Sequence, residues 1–389
     1  MKEMKEIPLS TLRVDFLDGI RGWAAVMVVL FHTMVRILAN TTPSYQRFYL
    51  EFITDGHLAV FIFFVLSGFA LSITFIKRPQ KISVPLAVIT RYFRLFIPIL
   101  LTSFIVYCLM KAHLMFNIQI ADLEDSKHWL GTFYDFEASL IGLLKFCFFD
   151  VFFHYERTSS YNIVLWTMQI EYAGSLLIYL SIGLFRHENR KIYLFPLVAI
   201  VLYLLRNDTA LACFIFGYFL AEVYFSYGHI IKKLKFINII STLLFIVPII
   251  ISTFYRPKDD KYTVLLAFIV VLSITFSPLL KDFFSNALSK FLGRISFPLY
   301  LIHMIVISSW SSYLFLHLPL YGYEHQVIAN ITLATTIVLS IFLAWVFCPM
   351  EAFSVKASKY LAKKILSVFF NALHKYHFFF QEKITEFVK

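Results

Sequence analysis

Apolar residues run unbroken through long stretches of this chain, without the polar interruptions that mark a surface helix or a half-buried strand. LAVFIFFVLSGFALSITFI, IISTLLFIVPIIISTF, LLAFIVVLSITFSPLL and ITLATTIVLSIFLAWVF are apolar on nearly every face. A helix needs about 17–25 such residues to cross roughly 30 Å of hydrocarbon. The pattern predicts an all-α polytopic membrane protein, because a membrane β-barrel would alternate apolar and polar positions. Ten spans are predicted, at 19–39, 58–76, 95–111, 163–184, 192–205, 210–226, 236–254, 262–280, 295–316 and 328–348. The first apolar run has no small-residue cleavage site and reads as a retained span, not a removed leader. One long connection, 112–162, contains SLIGLLKFCFFDVFF, which is too short for a span and reads as a re-entrant or interfacial segment.

Basic residues set the expected orientation. KRPQKISVPLAVITRYFR, FRHENRK, YGHIIKKLK and KDFFSNALSKFLGR fall on one side with both termini, whereas NTTPSYQRFYLEFITDG, RNDT and HLPLYGYEHQ on the other side are poor in them. The excess of Lys and Arg places both ends in the cytoplasm of a multi-pass plasma or inner membrane protein. YRPKDDK is the exception to the pattern. The unit at 1–353 is expected to be the membrane domain. Residues 354–389 are expected to form a basic amphipathic cytoplasmic tail resting on the bilayer.

Composition agrees with the pattern. Only 15% of residues are charged, against about 25% in soluble domains. The net charge of +11 sits in short loops and the tail, so topology and not nucleic acid accounts for it. Cys108, Cys147, Cys213 and Cys348 have no metal-ligand spacing, and neither a metal site nor a disulfide framework is expected.

The candidate chemistry lies in polar residues that hydrocarbon disfavours by roughly 2.5 kcal/mol or more each. In FLDGIRGWAAVMVVLFHT, Arg21 and His32 are eleven positions apart. At about 100° per residue they return to nearly one face, about 16 Å apart along the axis. Arg36 reads as an outer-interface residue. Arg91 and Arg94 in RYFRLFIP lie three apart, and paired guanidinium forks suit the phosphates of a large anion. Glu171, in LWTMQIEYAGSLLIYL, is deep enough to need a cationic or hydrogen-bonding partner. His303 reads as a packing histidine near Tyr300, and His57 stands at the outer mouth of the second span. Such interior charges also fit a proton-coupled transporter, although carriers usually repeat them in two related halves. Here they cluster in the first four spans.

Taken in order, these elements resemble the acyltransferase-3 family of integral membrane acyltransferases. FLDGIRGWAAVMVVLFH is similar to its opening, with the Arg-x10-His signature, and FIFFVLSGFALS, RYFRLFIP, LWTMQIEYAGS and LGRISFPLYLIHMIVI follow in the family's order over residues 15–350. TMQIE replaces the Ser-Leu-x-Val-Glu form and is closer to a fungal-type branch; the SGNH-type domain of some bacterial members is not expected here. The resemblance implies transfer of an acyl group, commonly acetyl, from acyl-CoA to a hydroxyl of a carbohydrate or other acceptor, with no metal. It implies catalytic roles for His32 as base, Arg21 on the pantetheine end or on developing charge, and Glu171 orienting His32 or neutralising Arg21. Arg91 and Arg94 would hold the CoA phosphates, and His57 and Trp166 would face the acceptor. No Ser or Cys nucleophile stands out, so direct transfer is the expected route.

Overall fold

The computed structural model describes residues 14–45, 51–77, 83–184, 197–198, 200–201, 204–205, 209–255 and 259–387, and every regular element among them is helical. Helix α1 (Asp15–Leu30) continues as a π-helix over Phe31–Leu38. Then come α2 (Gly56–Lys77), α3 (Val84–Lys111), α4 (Trp166–Leu184), α5 (Thr209–Ile231) and α6 (Ile237–Phe254). The chain closes with α7 (Asp260–Phe276), α8 (Pro278–Phe284), α9 (Ala287–Val306) and α10 (His325–Phe387). Among the described residues eight helices are long and apolar enough to cross a membrane, or nine if α7 and α8 form one span. Nine of the ten predicted spans fall on these helices; 192–205 lies largely outside the described residues.

The predicted span 262–280 needs correction. It ends at Phe276, and α8 leaves at 99° to α7. The cause is Pro278, which offers no amide hydrogen and pushes the preceding residue out of helical geometry. Ser277 is accordingly extended (φ −91°, ψ 115°), and its Oγ accepts from the Leu280 amide at 3.3 Å to start the new helix. At the other end, α10 passes without a break through the expected boundary at 353. Ser354 Oγ donates to the Arg94 carbonyl at 2.8 Å, and Ser354, Ser358 and Ala362 are buried, so packing against the bundle continues into the expected tail.

The apolar part of the long connection lies along α3. Phe148 meets Phe96 at 4.4 Å between ring centroids, Phe152 meets Tyr92 at 4.9 Å, and Tyr92 donates to the Phe148 carbonyl at 2.7 Å. Its far end reaches Tyr172 of α4 through Phe153. The connection therefore folds back into the bundle, and beyond the end of α1 its Ser126 Oγ donates to the Arg36 carbonyl at 3.2 Å.

Helices α1 and α9 approach closely enough for their backbones to touch. A Cβ on Gly22 would sit 2.5 Å from the Gly293 nitrogen, and one on Gly293 would collide with the Asp18 carbonyl. Small residues are what permits such approach where no hydrophobic drive brings helices together. The two helices run parallel, so ten residues beyond Gly22 and ten beyond Gly293 stand His32 and His303, in contact. Gly293→Val is expected to destabilise the protein by about 1–3 kcal/mol through overpacking, seen as a lower melting temperature in detergent. Gly228→Ala is the matched control, because its added Cβ meets only Tyr224 at 3.8 Å, and it should melt no lower than the parent.

Candidate active site

His32 occupies the second position of the π-helical stretch that prolongs α1, and such widened turns are frequent at functional sites. Its Nδ1 lies 3.0 Å from Nε2 of His303, and the two rings stack at 5.1 Å. His303 Nδ1 is 3.1 Å from the Leu299 carbonyl. A carbonyl only accepts, so His303 carries its hydrogen on Nδ1 and, as a neutral ring wholly removed from solvent, offers a lone pair at Nε2. The hydrogen between the rings then belongs to His32 Nδ1. This leaves His32 Nε2, on the opposite edge of the ring, as a proton acceptor. His303, expected from the sequence to be a packing residue near Tyr300, is fully buried and in addition meets the His32 ring.

His32 lines a cavity of about 320 Å³ together with His57, Trp129, Phe133, Tyr155 and Trp166. Trp129 stacks on His32 at 5.5 Å with planes 12° apart. Trp166, at the start of α4, is partly exposed, and His57 stacks on Phe61 while its Nε2 lies 2.9 Å from Asp260 Oδ1. Tyr155 donates to the Ile163 carbonyl at 2.9 Å, and burial pushes its hydroxyl up to about 12, so it stays neutral. The walls are thus aromatic, with polar atoms at a few points, the usual make-up of a small-molecule site.

The other expected site residues are elsewhere. Glu171 has neither of the partners expected of it. Its Oε1 accepts from the Arg91 guanidinium and from Ser67 Oγ (2.7 Å), and Arg91 Nε donates to Ser175 Oγ at 2.9 Å. Both members of this pair are 11% exposed, which answers the demand of a buried carboxylate for a cation. Arg91 and Arg94 do not form one fork either. Three residues on a helix leave about 60° between side chains, enough to turn Arg91 toward α4 and Arg94 toward Glu351 of α10 at 3.8 Å. Arg21 and Arg91 lie within electrostatic reach of Arg94. Among the described residues no hydrogen bond or ion pair engages the Arg21 side chain.

Arg21 and His32 do not share the cavity. From α1 the lining takes only Val28, Phe31 and His32. Beside them Ala25 and Val29 pack in a cluster with Leu292, Ile295, Leu299 and Ala344. Sequence reasoning missed Trp129, Phe133, Tyr155 and Arg157 of the cavity, all from the connection 112–162. The density of aromatic residues between the polar turns of that segment was the available signal. Among the described residues no group of three or more His, Cys, Asp or Glu side chains is placed to hold a metal ion.

A family model described as an acyltransferase domain matches residues 14–348. No curated protein and no solved structure matches the chain. Two physical outcomes are expected of this geometry. Nitrogen-15 spectra of histidine-labelled protein should show His32 protonated at Nδ1 alone, and His303→Ala should weaken that preference, with the Val28 carbonyl left as a second acceptor for the ring. Glu171→Ala, which strands the buried Arg91, should cost about 3–5 kcal/mol in thermal or denaturant unfolding.

Proposed function

The chain belongs to the acyltransferase-3 family and is a membrane-embedded acyltransferase, and from that premise we propose that it moves an acetyl group from acetyl-CoA to a hydroxyl of a carbohydrate. The donor arrives from the cytoplasm, at the Arg21 end of α1, and the acceptor occupies the aromatic cavity at the His32 end. The distribution of Lys and Arg supports this polarity.

In this reading the acceptor hydroxyl gives its proton to His32 Nε2 while its oxygen attacks the thioester carbonyl carbon. The tetrahedral intermediate collapses, the C–S bond breaks, and the proton on His32 passes to the departing thiolate. His303 positions the base: the hydrogen bond from His32 Nδ1 strengthens as the ring becomes positive. General base catalysis of this kind contributes about 10²–10⁴-fold. Trp166 offers a flat face to the apolar side of a sugar ring, while Trp129 backs His32. The observation that carries the reading is the His32–His303 pair in the wall of that cavity.

Arg21 and Arg94 are assigned the CoA phosphates, since Arg21 has no partner among the described residues and Arg94 has only the 3.8 Å contact to Glu351. Arg91 is committed to Glu171 and Ser175, so its part is to hold α3 against α4 and add positive potential. The reacting thioester must cover about 16 Å between the levels of Arg21 and His32. Ala25, Leu292 and Ile295 pack together between those levels, so the reading entails a local parting of α1 and α9 when the donor binds.

His32→Ala is expected to lower label transfer from acetyl-CoA at least about 10²-fold in protein that still inserts and folds; a fully active variant would refute the assignment. Replacing Arg21 and Arg94 together by Gln should raise the donor KM about tenfold, as expected for losing charge-assisted contacts, and leave the acceptor KM alone. An unaltered donor KM would remove both arginines from the phosphate site.

A further inference from the structure

Two guanidinium groups that the reaction above does not use stand by the cavity, Arg157 in its wall and Arg36 against the lining residue Trp129. Arg157 lines the cavity, and its guanidinium carbon stands 4.8 Å over the Phe133 ring, with a terminal nitrogen 3.5 Å from Thr132 Oγ1. Arg36, four residues beyond His32, stands 4.9 Å over Trp129. Trp129 and Phe133 meet edge to face at 5.1 Å, so adjoining rings carry the two cations, and they lie within electrostatic reach of each other.

Neither guanidinium meets a carboxylate among the described residues. Glu156, beside Arg157 in sequence, turns to His154 at 3.2 Å. The cavity lining contains no Asp or Glu, and Asp260, behind His57, is engaged by that imidazole. A cation on an aromatic face gains about 0.5–1 kcal/mol at an exposed site, less than it gains from a charge-assisted hydrogen bond. Both groups therefore retain most of their capacity for an anion. Two like charges held close repel, and an anion between them removes that cost. Low-dielectric aromatic walls focus the field at the mouth.

We propose that Arg36 and Arg157 form an anion subsite, and that the acceptor is an anionic sugar bearing a carboxylate or phosphate close to the hydroxyl that is acylated. The spacing limits how far apart the two groups are. Arg36 is four residues beyond His32, within about one turn of the same π-helical stretch, so the charge belongs on the same sugar ring as that hydroxyl or on the next. Only the word acceptor rests on the acyltransferase reading; the subsite is a matter of binding and can be tested without turnover.

The test uses the full-length protein in detergent at low ionic strength, with methyl glucoside, methyl glucuronide and methyl glucoside 6-phosphate as probes. Binding is followed by quenching of tryptophan fluorescence, which Trp129 and Trp166 report from the cavity wall. At least one charged probe should bind about tenfold more tightly than the neutral one, and the two charged arms identify which anion is preferred. Arg36→Gln and Arg157→Gln should each erode the preference, and the double variant should abolish it. Arg36→Lys and Arg157→Lys, which keep the charge, should retain part of it, and melting temperatures identify any variant that is misfolded. His32→Ala should keep the full preference while losing transfer, which separates failure of this proposal from failure of the catalytic assignment. Equal binding of charged and neutral probes, or a preference that survives the double Gln variant, would overturn the subsite.

Discussion

The meeting of two helix backbones at glycine is the constraint on which the site depends. Gly19, Gly22 and Gly293 let α1 and α9 touch where any side chain would strike backbone or a neighbouring helix. Because the helices run parallel from that contact with the same rise, whatever stands ten residues further on each must also meet. Here those residues are two histidines. The pair is thus fixed by packing roughly three turns away, before any hydrogen bond between the rings is considered.

That placement converts a costly group into a directed one. A histidine among apolar residues must satisfy both ring nitrogens or lose stability. The Leu299 carbonyl, His303 and His32 form a chain in which each hydrogen bond dictates the next, and the chain ends with an unprotonated nitrogen on His32. Arg91 and Glu171 solve the same problem differently, by neutralising each other and borrowing Ser67 and Ser175. One arrangement leaves a ring nitrogen over; the other matches charge with charge.

How much of this was legible in the sequence follows from which interactions are local. The spans were visible because hydrocarbon imposes long apolar runs, and Arg21 and His32 were visible because nothing local explains them there. The partner of Glu171 was not, since Arg91 and His32 are equally plausible cations until α3 and α4 are packed. His303 looked like core for the same reason, its role depending on a ring 271 residues away. The bend at Pro278 was within reach, because the proline stands in the predicted span, yet the apolar run on both sides concealed it. The connection 112–162 has no periodicity to read, so beyond its density of aromatic residues nothing pointed to Trp129, Tyr155 and Arg157 as cavity residues.

The filling between the two polar regions has an electrical consequence. A conduit of water joining the Arg21 region to the His32 cavity would let protons and ions run down any gradient the bilayer maintains. Ala25, Val29, Leu292, Ile295 and Leu299 occupy that level as a dry plug. A bundle packed in this way stays an insulator at rest.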